Sequence, residues 1–258
     1  MKTFNLNADM AEGYGDWKIG EDSKLLDIIS TANLACGFHA GDYNILGITM
    51  KMAKEKNVSV GSHPGFYDLH GFGRRKLNLN LSEIERLIAY QLGASMGIAS
   101  LYDVALTHIK PHGALNNMAC VDKELSQSIM RGVKAVDKSI IVLAPALSHL
   151  LYQAEKNGLN YAIEVFADRA YLSDGQLAPR STEGALIIEP QECLNHCKSM
   201  FLENKIISID KKVLKVEPDS VCVHGDSLHS LAVAKKVRKG LEEEGLTLKT
   251  LPEIIFNN

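Results

Sequence analysis

The sequence predicts an α/β protein folded as a closed or nearly closed parallel (β/α) barrel, and three observations carry that expectation. Short β-rich apolar runs alternate with helical stretches along the whole chain. Four of those runs end in a histidine beside glycine: A-N-L-A-C-G-F-H-A-G-D, V-S-V-G-S-H-P-G, V-A-L-T-H-I-K-P-H-G-A and V-C-V-H-G-D. Buried strands that each deliver a polar group and a tight turn at their C-terminal end describe the working face of a β/α barrel. The length of 258 residues suits one such barrel. A doubly wound open sheet is the rival, but it would gather its polar tips at one switch point instead of spreading them over nearly every strand.

In chain order, strand 1 is expected at Thr3–Asn7, followed by a loop through Asp9, Glu12 and Gly15 and a helix over Glu21–Ser30. Strand 2 falls near Ala32–Cys36, and Asp42 reads as the N-cap of a helix ending near Asn57. Strand 3 is Val58–Gly61, and Pro64, Gly65, Gly71 and Gly73 mark a long loop ending in Arg74-Arg75. Ser82 with Glu85 reads as a capping box opening a helix to about Ser100. Strand 4 at Ala105–Ile109 precedes a helix over Lys123–Val136, and strand 5 at Ile140–Leu143 precedes one over Leu147–Lys156. Strand 6 is Ala162–Phe166, with a loop Ala167–Ser181, and strand 7 is placed at Ala185–Ile188. Gln191–Glu203 reads as helix, Ile206–Ile209 with Val213–Val216 as a small hairpin, Ser220–Val223 as strand 8, and a final helix runs to about Glu244. With no linker, low-complexity segment or short-period repeat, residues 1–258 are expected to form a single domain.

Composition narrows the function classes. An apolar fraction of 46% with 23% charged residues is ordinary for a globular protein, and a formal net charge of -3 offers no basic surface for nucleic acid or an anionic membrane. No apolar run approaches the roughly 20 residues of a membrane span. The N-terminus turns polar at Asn7 and Asp9, too soon for a signal-peptide core. Five cysteines, an odd count without small-scaffold spacing, suit a reducing compartment, so a cytoplasmic location is expected. Cys193, His196 and Cys197 form a short clip, but nothing nearby in sequence completes four metal ligands.

Chemistry concentrates at the strand tips. Asp9 and Glu12 follow strand 1, where a carboxylate ligates a metal, handles a proton or binds a turn. His39 and His63 interrupt apolar runs next to glycine and follow no helical period. Pro111 biases Lys110 toward extended backbone, so if Leu106, His108 and Lys110 share a face, Lys110 points into the barrel mouth as an anion clamp. His112 lies two residues on. Arg169, next to Asp168, and Arg180 add guanidinium groups suited to a carboxylate or phosphate, or arginine and aspartate pair to pin their loop. His224 with Asp226 completes the set, the carboxylate orienting the imidazole. The catalytic candidates are thus Asp9, His39, His63, Lys110, His112 and His224, and the substrate-binding candidates Glu12, Asp168, Arg169, Arg180 and Asp226. There is no Walker-type phosphate loop, GxGxxG fingerprint or G-x-S-x-G elbow, and the chemistry reaches acid-base and electrostatic catalysis on a small anionic carbonyl compound.

The blocks N-L-N-A-D, A-N-L-A-C-G-F-H-A-G-D, G-S-H-P-G-F, G-F-G-R-R, H-I-K-P-H-G-A-L, E-V-F-A-D-R-A-Y, D-G-Q-L-A-P-R-S and V-C-V-H-G-D, in this order, resemble the LamB/YcsF family, the A component of prokaryotic 5-oxoprolinases. The resemblance implies a single modified parallel (β/α) barrel akin to polysaccharide-deacetylase-type barrels. It also implies ATP-dependent opening of the 5-oxoproline (pyroglutamate) lactam to L-glutamate, performed with partner subunits B and C. Ala11 stands where the family usually has glycine, Asn116 where an aromatic residue usually follows G-A-L, and Ser227-Leu228-His229 replaces a more glycine-rich continuation. Two other readings compete. One is a metal-dependent amide or carbohydrate deacetylase with Asp9, His39 and His63 around a divalent ion, and the other a non-catalytic 5-oxoproline-binding subunit.

Overall fold

The structure, a computed structural model, describes residues 2–223 and 230–257. Seven parallel strands close into a barrel: β1 (Thr3–Met10), β2 (Thr31–Ala35), β3 (Ser59–His63), β4 (Leu106–Ile109), β5 (Ile141–Pro145), β6 (Tyr161–Phe166) and β9 (Ser220–Val223). Each pairs with the next in this order, and β9 returns to pair with β1 through Asn5↔Ser220 to Ala8↔Val223. The helices between strands are α1 (Asp22–Leu25), α2 (Tyr43–Glu55), α3 (Leu81–Leu101), α4 (Gly113–Val121), α5 (Lys123–Val136), α6 (His149–Lys156), α7 (Pro190–Leu202) and α8 (Ser230–Glu243). The antiparallel pair β7 (Lys205–Ile207) and β8 (Val213–Lys215) stands outside the barrel sheet, as the sequence predicts for that hairpin.

Strand β1 shows how the barrel is layered. Phe4, Leu6, Ala8 and Met10 join the apolar core shared with the surrounding helices, while the alternate residues Asn5, Asn7 and Asp9 are buried and bonded inside the barrel. The interior is therefore polar toward the top. At the other end, the short strand β10 (Thr247–Leu248) pairs with Thr3 and Phe4, and helix α9 (Leu251–Phe256) sets Leu251 against Ile141, Leu143 and Ala162. Neither element is foreseen from the sequence, which ends its last helix near Glu244.

Three further expectations are corrected. Ala185–Ile188 is not a barrel strand. Only Arg169↔Leu186 forms a bridge, because β9 pairs directly with β6 through Glu164↔Ser220 and takes the place an eighth strand would need. That segment instead folds back on the β6 exit, with Ala170 N–H donating to Ala185 O and Ile187 N–H to Asp168 O. The Glu21–Ser30 helix shortens to α1, as Ser30 N–H turns to Leu6 O on entering β2. The capping box belongs to Asn80 and Glu83: each side chain accepts the other's backbone N–H, and Ser82 donates to Asn80 Oδ1. Asp42 caps α2 as expected, accepting from Asn44 and Ile45 N–H.

Candidate functional site

Four strands bring their tips together at the C-terminal mouth. Asp9 ends the inward row of β1, Glu12 follows it, His39 comes from the turn after β2, His63 closes β3, and Lys110 and His112 follow β4. Lys110 N–H still donates to Ser62 O, so the ladder extends one residue beyond β4 and its side chain enters the barrel. Its ammonium lies 2.9 Å from Asp9 Oδ1, 2.9 Å from Glu164 Oε1 and 3.1 Å from Cys222 Sγ. Burial works against that charge, but Asp9, Cys222 and Glu164 outweigh it and hold the Lys110 pKa well above normal. Burial raises the Glu164 carboxyl in spite of the pull of Lys110.

Beside this ion cluster stand three imidazoles. His39 stacks on His112 with centroids 3.7 Å apart, and His63 meets both edge-on. On His63 and His112 the hydrogen positions are dictated by backbone carbonyls, which only accept. His63 Nδ1–H donates to Lys110 O at 2.7 Å and His112 Nε2–H to Phe72 O at 2.8 Å. The remaining nitrogens, His63 Nε2 and His112 Nδ1, are bare lone pairs facing each other at 2.9 Å. Such a contact is repulsive unless a cation stands between them. Burial first, then the neighbouring histidines, keeps His39 and His112 well below the usual histidine range, which favours neutral imidazoles over a proton.

The donor set fits a divalent metal ion. Glu12 Oε1 lies 3.6 Å from His39 Nε2 and 3.8 Å from His112 Nδ1, and one ligand atom from each of Glu12, His39, His63 and His112 falls within 4.8 Å of the others. Both His39 ring nitrogens are buried without a hydrogen-bond partner. Histidines that donate their far N–H to a carbonyl while the near nitrogen stays bare are what a metal centre uses. This grouping revises the expected trio of Asp9, His39 and His63: Glu12 and His112 join the cluster, whereas Asp9 bonds Lys110 and approaches His63 Nε2 at 3.4 Å. Among the described residues no other such group occurs, so the Cys193–His196–Cys197 clip is not one. Cys36, the thiol nearest His39 in sequence, bonds Ser62 and Ser95, and burial raises its pKa, so it is not an activated nucleophile.

The loop after β3 presses on this centre. Phe72, at φ 54°, turns its carbonyl to His112, and Gly73, at φ 63°, brings bare backbone against His39 and His112. Asp68 holds the loop through Arg75 and Gly71 N–H, whereas Arg74 sits over the Phe72 ring and lines the adjoining cavity. That cavity, about 640 Å³, is lined by Asp9, His63, Lys110, His112, Asn116, Arg74, Lys76, Arg169 and Arg180 among others. Arg169 is buried, donates to Ala178 O, and is brought down to about 10 by burial and then by Arg180.

Of the sequence candidates, Asp9, Glu12, His39, His63, Lys110 and His112 thus converge, and Arg169 and Arg180 face the same cavity. Asp168 does not line it, and acts on Arg169 through its charge. His224 and Asp226 lie outside the described residues. Sequence reasoning missed Glu164, Asn33 and Arg74. Glu164 was legible as the inward partner in E-V-F, two residues before Phe166 on a strand of period two. Ala11 adopts φ 57°, the left-handed region that glycine serves in the family pattern, and Asn116 presents a buried, unpartnered Oδ1.

The LamB/YcsF family model matches residues 4–256. A protein of Azoarcus sp. (strain BH72), named as the A component of 5-oxoprolinase, is 45% identical, covering 98% of this chain and 99% of its own. One of the same name from Rhodopseudomonas palustris (strain ATCC BAA-98 / CGA009) is 44% identical over 95% and 96%. The crystal structure of a lactam utilization protein from Thermus thermophilus superposes with a TM-score of 0.91 at 39% identity, covering 97% of this chain and 100% of that one. The catalytic domain of a peptidoglycan N-acetylglucosamine deacetylase from Eubacterium rectale ATCC 33656 shares the fold alone, at TM-score 0.51 and 12% identity over 97% and 88%. With residues 4–256 matched by the family model and relatives of 44% and 45% identity over nearly all of the chain, the chain belongs to the LamB/YcsF family.

Proposed function

We propose that this chain is the A component of an ATP-dependent 5-oxoprolinase, which opens the lactam of 5-oxoproline to L-glutamate together with subunits B and C while ATP becomes ADP and phosphate. The observation that carries the reading is the Lys110 ammonium, buried between Asp9 and Glu164 and opening onto a cavity that Arg169 and Arg180 also line. The names of the relatives support it, and their lettering as one component among several implies further subunits in their assemblies.

A lactam carbonyl is a poor electrophile. Transfer of the ATP γ-phosphoryl to its oxygen, with ADP leaving, makes the ring carbon open to water. Addition of water, breakage of the C–N bond with protonation of the nitrogen, and loss of phosphate with a second water give glutamate and inorganic phosphate. Lys110 and Arg169, both buried cations, suit the negative charge that would develop on oxygen, where low solvent access strengthens their pull. Arg180 suits the substrate carboxylate. With no ion bound, the bare near nitrogens of His63 and His112 are the base candidates for the water; with an ion bound they are its ligands, and activation of the water passes to the metal. Glu12, His39, His63 and His112 would hold a divalent ion, which when bound supplies Lewis acidity toward an oxygen.

The sequence contains no Walker-type phosphate loop, so the isolated chain is expected to release little glutamate from 5-oxoproline plus ATP and to gain turnover when B and C are added. Robust ATP-coupled turnover by the purified chain alone would refute the dependence on partners. Absence of glutamate from the complete assembly would refute the function. Metal-dependent deacetylation of amides or N-acetyl sugars by the isolated chain would replace it.

A further inference from the structure

Asn33 and His108 are fully buried inside the barrel, on β2 and β4, with β3 between them. The register sets Asn33 beside Gly61 and Gly61 beside His108, so the three lie in one row across three strands. Glycine is what lets the row connect. A Cβ at Gly61 would come within 2.3 Å of the His108 ring, so the imidazole crosses β3 only because that position has no side chain. Having crossed, His108 Nε2 meets Asn33 Oδ1 at 2.8 Å.

The amide has one workable orientation. Asn33 Nδ2 donates to Asp9 Oδ1 and to Asn7 Oδ1, both at 2.8 Å, which uses both of its hydrogens on oxygens that accept. Flipping the amide would press its oxygen against those two oxygens. With the amide so turned, its Oδ1 accepts, and His108 must donate from Nε2. On the other side of the ring, His108 Nδ1 lies 2.9 Å from the Thr107 hydroxyl, whose one hydrogen is shared between Nδ1 and the Val60 carbonyl at 3.0 Å. Burial first, then Lys110, brings the His108 pKa down to about 3, so the ring is a neutral Nε2–H tautomer at ordinary pH.

We propose that Asn33, oriented by His108 across Gly61, is a positioning residue that fixes the Asp9 carboxylate, holding Oδ1 on Lys110 and leaving Oδ2 toward His63. Asp9 Oδ1 then receives Lys110 Nζ at 2.9 Å as well as the Asn33 amide, and Asp9 Oδ2 is left 3.4 Å from His63 Nε2. Asp9 is thereby held between the ammonium and the imidazole cluster. Neither Asn33 nor His108 lines the cavity, so Asn33 acts through Asp9 and His108 through Asn33. The proposal rests on the 5-oxoprolinase reading for its kinetic consequences, whereas its tautomer rests on the hydrogen bonds of Asn33 and the burial of the ring.

Two measurements test it separately. In the isolated chain, nitrogen-15 NMR of labelled histidine reads the His108 tautomer directly. A neutral ring protonated at Nε2 and bare at Nδ1 is expected, and an Nδ1–H ring would overturn the proposal whatever the chain's activity. In the assembly with subunits B and C, His108→Phe keeps a planar ring and removes the donor, whereas His108→Gln keeps an N–H donor of similar reach. Misplacing a reacting group by about 1 Å costs up to about 100-fold in rate, so His108→Phe is expected to lower kcat roughly 10- to 100-fold with KM little changed. His108→Gln is expected to recover most of that loss, and Asn33→Asp, which sets a carboxylate against Asp9, to recover none. Equal impairment of His108→Gln and His108→Phe in folded protein, or a His108→Phe rate within about threefold of wild type, would overturn the positioning role. If His108→Phe does not fold, the tautomer and His108→Gln still decide it. Failure of wild-type turnover, with the expected tautomer present, would count against the functional reading and not against this arrangement.

Discussion

Lys110→Met tests the centre of the site. Methionine matches the length of the lysine stem, so the substitution removes the charge without opening a large void. Lys110 is 3% exposed, and its ammonium is the cation between Asp9 and Glu164. Deleting one partner of a buried ion cluster costs about 3–5 kcal/mol, because the carboxylates left behind are neither solvated nor paired. For a chain of this size each 1 kcal/mol moves the thermal midpoint by roughly 2–4 °C, so a fall of about 6–20 °C is expected. From sequence alone, removing Lys110 is expected to harm turnover far more than folding; its burial makes the folding cost large as well. Turnover of the assembly should fall about 100- to 1,000-fold, as for loss of one preorganised donor. The pH dependence follows from the sign of the shifts. The Lys110 pKa is raised on folding, so its stabilisation is complete below the unfolded lysine value near 10.4 and is lost only as pH rises through the higher folded value. In the mutant, Glu164, whose carboxyl burial already raises, takes up a proton as pH falls, so the deficit in midpoint narrows from pH 8 to pH 5. Calorimetry across that range, with glutamate release as the activity assay, checks both parts. A midpoint within about 2 °C of wild type would show that the ion cluster does not hold the barrel mouth.

Two other outcomes are expected. Gly73→Ala places a Cβ 2.6 Å from His39 Cβ and 2.8 Å from His112 Cδ2 on a backbone at φ 63°, so it should destabilise by about 1–3 kcal/mol in chemical denaturation and weaken metal binding. The isolated chain should bind one divalent ion of the zinc type by titration calorimetry, with Glu12→Gln or His112→Ala lowering affinity roughly 10-fold or more; unchanged affinity in both would remove these residues from the ligand set.

Much of this arrangement is legible in the sequence because the barrel interior is polar. In N-L-N-A-D the polar residues fall on alternate positions of a strand buried on both faces, and that period of two marks Asn5, Asn7 and Asp9 as inward. The histidine tips likewise announce themselves by breaking apolar runs beside glycine. Other features stay hidden for definite reasons. Ala185–Ile188 has strand-like composition, yet its hydrogen bonds go to the loop leaving β6, and only the pairing of β6 with β9 excludes it from the barrel. The ligand set needs the turn at Phe72 to aim His112, which no local pattern states. In sequence His108 shares a face with Lys110 only conditionally, and its reach across Gly61 to Asn33 appears only in the register.

The closed lower end of the barrel has a consequence for traffic. Asn5 Nδ2 and Ser30 Oγ both donate to Lys249 O, and Leu251 of α9 fits against the first inward residues of β5 and β6. The described part of the barrel is therefore a blind well and not a conduit. Among the described residues, a small anion that reaches Lys110 does so through the cavity that Arg169 and Arg180 line, and the closed lower end offers it no second exit. A protein seated on that mouth would shut the exit as well as the entrance, so release of product would require the seated partner to shift.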